Sequence, residues 1–305
     1  MTLPLRVNVF PGGFNWPLFA GIQKNFFDRE AVAIELQATT GSVAQMTGLA
    51  AGEFDIAMTA FDNVVAYVEG QGEAPIGPQP GFFAFLGSDD SFLSLVTKPD
   101  ISEARDLRDR KISVDAATTG YAFALFDLLE QSGLQRDDYI LVRIGGMAQR
   151  FADLCDGDTA ATLLSTPYDL FAEQTGLRVV QRLRRPYQGN VAAARRDWAQ
   201  RNARMVIGFT RGYIAALSWL FDPANIAEAC MILEQSVAGM TADLARASHR
   251  QMFAGDAGFF RDGRLDPAGM RKVLQLRTRY AVERRALGDA GKYVELCYRE
   301  QAVAP

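Results

Sequence analysis

Leu5-Arg-Val-Asn-Val-Phe-Pro-Gly-Gly13 decides how the rest of the chain is read. Leu5, Val7 and Val9 alternate with Arg6 and Asn8, the period of a strand, and the run breaks at Pro11-Gly12-Gly13. A helix-compatible stretch follows, which Pro17 can open near its first turn. Strand, glycine-rich turn and helix form the first half of a βαβ unit. Ala33-Ile-Glu-Leu-Gln-Ala38 is the next alternating segment. It ends at Thr39-Thr40-Gly41-Ser42, before a helical Val43–Ala51 closed by Gly52 and a third strand, Asp55-Ile-Ala-Met-Thr59.

The same order returns farther along. Lys111-Ile-Ser-Val114 leads to Thr118-Thr119-Gly120, and Tyr139-Ile-Leu-Val-Arg-Ile144 leads to Gly145-Gly146. A helix closed by Gly157 then precedes the strand Ala160–Leu164. Adding 105 to positions 7, 34, 41 and 52 lands on Ile112, Tyr139, Gly146 and Gly157 without a gap. Two such blocks predict an α/β protein of two similar lobes, each a mainly parallel sheet flanked by helices. Gly81–Gly87 and Ser91–Thr97 between the blocks read as further strands, and Arg178–Arg182 with Tyr187–Ala194 as a strand pair. The helices after residue 195, such as Ala203–Phe221 and Ile226–Gly239, have no repeat partner and are expected to complete the first lobe. The chain then crosses between lobes twice, near Ser88–Ser91 and near Arg185–Gly189. Residues 1–90 and 188–305 are expected to form lobe one and residues 91–187 lobe two.

Composition narrows the function classes. With 305 residues, 49% hydrophobic and 22% charged, the chain can bury a large core, and its net charge of −4 gives no footprint for nucleic acid. The arginine-rich stretch Arg182, Arg184, Arg185, Arg195, Arg196, Arg201 and Arg204 is interrupted by Pro186, Gly189 and Trp198 and reads as solvated surface. Cys155, Cys230 and Cys297 have neither metal-site nor disulfide spacing, and His249 is the one histidine, so no metal site, cofactor or catalytic residue is expected. His249 falls in a helical stretch, Ala242–Phe253, and reads as surface or structural. No apolar run approaches the roughly 18 residues of a bilayer span. Met1-Thr2-Leu3-Pro4 runs straight into the first strand without the basic start and apolar core of a leader, which leaves the cytoplasm open beside an exported location.

A series of short motifs, in order along almost the whole chain, resembles one family. They are Val7-Asn-Val-Phe-Pro-Gly-Gly13, Gly52-Glu-Phe-Asp-Ile-Ala57, Asp106-Leu-Arg-Asp-Arg-Lys-Ile112, Asp156-Gly-Asp-Thr-Ala-Ala161, Tyr187-Gln-Gly-Asn190 leading to Arg195-Arg-Asp-Trp198, and Phe209-Thr-Arg-Gly-Tyr-Ile-Ala-Ala216. They resemble the periplasmic substrate-binding proteins of ABC importers, in the group that takes nitrate, taurine and alkanesulfonates, and thiamine-pyrimidine precursors. The resemblance implies a type II binding-protein fold with two crossover hinge strands and a ligand held by lobe closure. It also implies a periplasmic monomer that serves a cognate ABC permease. The chain departs from the family pattern at Arg108-Asp109, where a basic-Gly step is usual.

The site follows from a general rule: ligands of open parallel sheets bind beyond the carboxyl ends of the strands. That selects Phe14, Asn15 and Trp16 after the first strand, Gly41 and Ser42 after the second, and Phe61 and Asp62 after the third. From lobe two it selects Thr118, Thr119, Gly120 and Tyr121, then Gly146 and Met147, then Ser165 and Thr166, with Tyr187 and Gln188 at the return crossing. Hydroxyls and glycines at helix starts offer free backbone N–H groups, which would hold a carboxylate or sulfonate without arginine. Phe14, Trp16, Phe61, Tyr121 and Tyr187 would wall an organic body. Each has a plainer reading. Asn15, Ser42, Thr118 and Thr119 can be helix caps, Trp16 and Phe61 core, and Gly41, Gly120 and Gly146 turn residues. Asp62 can cap a helix near Asn63, or face the cleft and select a ligand hydroxyl or amine.

A receptor for a small organic anion is the expected function. The alternatives are an enzyme on the same scaffold, for sulfinate carbon–sulfur cleavage or pyrimidine-precursor synthesis, and a cytoplasmic small-molecule sensor. An enzyme of the first kind would need an activated cysteine in the cleft. Cys155, Cys230 and Cys297 all fall away from strand ends.

Overall fold

The computed structural model describes residues 4–183, 186–253 and 258–304. Met1-Thr2-Leu3, and with them the start of the chain, lie outside the described residues, as do Arg184 and Arg185 of the basic stretch and of the expected return crossing.

The first block folds as β1 (Leu5–Val9), α1 (Trp16–Gln23), β2 (Ile34–Ala38), α2 (Ser42–Ala51), β3 (Ile56–Ala60), α3 (Phe61–Val68) and β4 (Phe82–Gly87). The second comprises β5 (Leu93–Thr97), β6 (Lys111–Val114), α4 (Gly120–Gln131), β7 (Ile140–Arg143), α5 (Met147–Asp156), β8 (Ala161–Ser165), α6 (Tyr168–Gln174) and β9 (Arg178–Arg182). The chain returns through β10 (Asn190–Arg195) and α7 (Arg196–Arg201). It ends in α8 (Ala203–Leu220), α9 (Ile226–Ser236), α10 (Ala242–Phe253), α11 (Pro267–Tyr280) and α12 (Cys297–Val303).

Two five-stranded sheets result, ordered β2-β1-β3-β10-β4 and β7-β6-β8-β5-β9. Each has one antiparallel member in the same place: β10 runs against β3 and β4, and β5 against β8 and β9. The antiparallel strand is in each case the first laid down after the chain changes sheets. The repeat is therefore structural: Gly41 and Gly146 precede α2 and α5, while Gly52 and Gly157 follow them. Gly52 needs its glycine, having the left-handed φ of 76° usual where a helix stops. The sheet interiors follow from apolar runs: Phe82 to Leu86 in β4 is buried on both faces, as is the small-residue run Ala192 to Ala194 in β10.

The two crossings are bonded to each other around Asp89. Its buried carboxylate accepts from the backbone N–H of Ser91 (2.8 Å) and of Asn190 (3.1 Å) and from Asn190 Nδ2 (3.0 Å). Gly189 N–H donates to Asp89 O, and Ser88 N–H to Asn190 O. A Cβ on Gly189 would stand 2.2 Å from Asp89 Oδ1, so only glycine permits this approach.

Two expectations need correction. Arg178–Arg182 and Tyr187–Ala194 are not a strand pair: β9 pairs with β5 and β10 with β3 and β4, because the chain changes sheets between them. Nor do all the later helices serve one sheet. Val206, Phe209, Tyr213, Cys230, Met252 and Tyr298 of α8, α9, α10 and α12 share a core with Leu5, Val7, Phe83 and Phe85. By contrast, α11 packs Met270, Val273 and Leu274 into a core that joins Val64 and Val65 of α3 to Phe123 and Leu128 of α4. Its apolar stripe fits a groove between the two halves; periodicity reveals the stripe but not its partner.

Candidate functional site

Between the two sheets, where the strands of both point their carboxyl ends, lies a cavity of about 310 Å³. This is the low end of the ~300–1,000 Å³ typical of small-molecule sites. Three helices start at it: α2 through Ser42, α4 through Gly120 and Tyr121, and α5 through Met147 and Ala148. Their first-turn amides have no intrahelical partner and their dipoles add positive potential. Part of that capacity is used internally. Thr119 Oγ1 accepts from Ala122 N–H (3.4 Å), and Gln149 Oε1 accepts from Gly146 N–H (2.6 Å).

Of the expected site residues, Phe14, Ser42, Thr119, Gly120, Tyr121, Gly146, Met147 and Ser165 line this cavity. The others lie elsewhere, each for an identifiable reason. Trp16 is buried with its Nε1–H donating to Ala229 O (3.0 Å) and its ring edge-on to Phe253 and His249. Phe61 is core, edge-on to Tyr293. Asp62 neither caps α3, which begins one residue earlier, nor meets the cavity; it forms a buried bidentate ion pair with Arg277 (2.8 and 2.5 Å). Asn15 donates to Phe10 O (2.6 Å) rather than capping α1. Gly41 precedes α2 and gives its N–H to Thr39 Oγ1 (3.4 Å). Thr118 turns outward to Glu73. Thr166 is buried and accepts from Gln251 Nε2 (2.6 Å). Tyr187 is buried outside this cavity and lines a second one with Leu128 and Lys272; its ring centroid is 6.5 Å from that of Tyr121, and its hydroxyl has no partner among the described residues. Gln188 braces the crossing by donating to Asn190 O (3.2 Å) and accepting from Asp266 N–H (2.8 Å).

The structure brings in residues that the strand-end rule missed: Phe10, Pro11, Thr39, Thr40, Ala60, Asn63, Asp115, Ala148, Gln149, Arg150 and Asn190. Arg150 matters most. It sits one turn into α5, is 3% exposed, and its Nε has no hydrogen-bond partner. Its guanidinium makes no ion pair among the described residues, and burial pushes its pKa from 12.5 down to about 10, against a weaker opposing pull from Asp115 and Tyr121. A buried, unsatisfied cation is costly, and most buried charges in proteins are paired. The strand-end rule foresaw no arginine at this place; the cavity carries a guanidinium as well as helix starts. Only the sharp polar–apolar division of α5 hinted at it, since Arg150 follows Met147 by three residues and so shares its helix face. Burial, and then the charge of Asp89, raises the Tyr121 hydroxyl far above its ordinary value, so it meets a ligand as a neutral phenol.

Neither His249 nor any of the three cysteines lines the cavity. His249 is buried against Trp16, with Nε2 3.0 Å from Leu220 O, a structural placement. Among the described residues no group of histidine, cysteine, aspartate or glutamate is arranged to hold a metal, and no helix is long and apolar enough to cross a membrane.

Residues 12–169 match the NMT1-like family. No curated protein sequence matches the chain. Among solved structures the chain is similar to the ligand-binding component of an ABC-type import system from Staphylococcus aureus, solved with zinc bound (TM-score 0.79, 12% identity, 99% of this chain and 99% of that one). It is also similar to the alkanesulfonate-binding protein SsuA from Xanthomonas axonopodis pv. citri bound to MOPS (TM-score 0.75, 14% identity, 97% and 99%). A third similar structure is the desulfurization enzyme DSZB (TM-score 0.65, 15% identity, 98% and 99%). At these identities the likeness is one of fold, and the fold is that of the periplasmic binding proteins.

Proposed function

Because the chain belongs to the NMT1-like family, we propose that it is a solute-binding receptor of an ABC import system that captures one small organic anion, a sulfonate or a carboxylate, between two lobes. The observation that carries this reading is Arg150, a buried guanidinium with no hydrogen bond at Nε and no ion pair among the described residues, facing a cavity on which three helix N-termini converge. An anion there would satisfy the guanidinium and the free amides together. Phe10, Pro11, Phe14, Met147 and Tyr121 supply apolar walls for an organic body. In this reading residues 1–90 and 188–305 act as one lobe and 91–187 as the other, with the Asp89-centred crossings as hinge. The receptor works in the periplasm, as a monomer, beside a cognate permease. The names of the import component and of the sulfonate-binding neighbour support it.

The desulfurization enzyme among the neighbours makes catalysis the reading to test against. The absence of cysteine and histidine from the cavity lining favours binding. The test is calorimetric titration with propanesulfonate, 4-methylbenzenesulfonate and benzoate, and the expected result is saturation at one equivalent per chain. A bound ligand at one hundred times its Kd should raise unfolding stability by about 2.7 kcal/mol. If none binds, or if a sulfinate is turned over, the receptor reading falls.

A further inference from the structure

The lining of the cavity is asymmetric in charge. Everything contributed from the first sheet and its loops is neutral: Phe10, Pro11, Phe14, Thr39, Ser42 and Asn63 among them. The second half contributes two charged side chains, Arg150 from α5 and Asp115 from the turn after β6. They are of opposite sign and do not pair with each other. The Arg150 guanidinium forms no ion pair, and the half-buried Asp115 carboxylate forms no hydrogen bond or ion pair among the described residues. Asn190 adds neutral acceptor capacity, because Asp89 holds its Nδ2 and orients the amide. A ligand with an anion alone would complete Arg150 while bringing its negative charge into a cavity that Asp115 also lines, and repulsion at a half-buried site is stronger than in bulk water.

Resting on the receptor reading above, we infer that the cavity selects amphoteric ligands, whose anionic group is taken by Arg150 and whose cationic nitrogen is taken by Asp115. Asp115 is the specificity-determining residue. It contributes little to the capture of an anion as such and discriminates against ligands that carry a second negative charge or lack the nitrogen. The apolar walls then hold the carbon skeleton between the two charges.

Two ligand pairs differing in one amine test this by calorimetry at pH 7.5: 3-aminopropanesulfonate against propanesulfonate, and 4-(aminomethyl)benzenesulfonate against 4-methylbenzenesulfonate. In at least one pair the amine-bearing member should bind the wild-type protein at least tenfold more tightly. In D115N that advantage should shrink below threefold, while affinity for the amine-free member stays level or improves. Asp115 has no hydrogen bond or ion pair to lose among the described residues, and D115A provides a second variant for the same comparison. R150M should weaken both members. Equal or tighter binding of the amine-free members, or an amine advantage unchanged in D115N and D115A, overturns the role of Asp115 and leaves the anion receptor standing. If none of the four ligands binds, both readings fall.

Discussion

Replacing Arg150 by methionine should move folding stability and ligand affinity in opposite directions. Arg150 is 3% exposed and its guanidinium makes no ion pair among the described residues. A guanidinium held at about 10 instead of 12.5 carries ~3 kcal/mol of unfavourable burial at neutral pH, since each pH unit of displacement corresponds to ~1.4 kcal/mol. The sign follows from linkage. Folding disfavours the charged form, so the cost is present at all pH values below about 10 and disappears only above the ordinary value. Methionine keeps most of the stem volume and removes the charge. The ligand-free R150M protein should therefore be as stable as wild type or more stable, by up to ~3 kcal/mol, in urea melts followed by far-UV circular dichroism. Affinity for an anionic ligand should fall, because removing one member of a buried charge pair costs ~2–5 kcal/mol, about thirtyfold to several thousandfold in Kd. Calorimetric titration of R150M with the tightest-binding sulfonate reads this directly. The reasoning is refuted if R150M loses several kcal/mol of stability while binding the anion as wild type does. That result would make Arg150 a structural cation.

Three further outcomes follow from contacts away from the cavity. Trp16→Ala should cost ~3–5 kcal/mol in denaturant melts, since the ring is fully buried against Phe253 and His249, yet leave the affinity of the folded fraction unchanged; lost binding with intact stability would return Trp16 to the site. Asp62→Ala should cost ~3–5 kcal/mol by stranding Arg277, whereas D62L/R277L should recover much of it; a D62A protein as stable as wild type would show that the pair is not energetically coupled to the fold. Glu69 is buried, which alone would raise its pKa, but Lys292, Tyr293 and Arg285 hold it below its ordinary 4.5. Its contribution to stability is accordingly complete above pH 4.5 and lost as pH falls through the lowered value. Glu69→Gln should cost about 1–3 kcal/mol at pH 7, and the difference from wild type should shrink as pH falls below 4.5; equal acid sensitivity in wild type and variant would contradict it.

Local pattern carried much of the fold. Alternation marked β1 and β2, and an offset of 105 residues aligned Gly41 with Gly146 and Gly52 with Gly157, which bound the same helix in each half. The helix starts after β2, β6 and β7 were legible because a strand followed by a small or hydroxyl residue and a helix leaves few ways to run the chain. The same reasoning found Phe14, Ser42, Thr119, Gly120, Tyr121, Gly146, Met147 and Ser165 at the cavity. It failed at Trp16, Phe61 and Asp62, whose neighbours in sequence resemble those of the residues that do line it. Their surroundings come from Ala229, Tyr293 and Arg277, more than 200 residues away.

By itself the sequence determined the two βαβ blocks, the likeness between them and the end of each sheet at which the cavity lies, because strand and helix periods, glycine stops and chain direction are local properties. Only the tertiary structure decided what occupies that end. Whether a polar residue of a helix meets water, a partner or a cavity depends on what packs opposite it. Packing turned Asp62 into the mate of Arg277, left Arg150 buried without an ion pair among the described residues, and placed Asp115 as the second charge of the cavity.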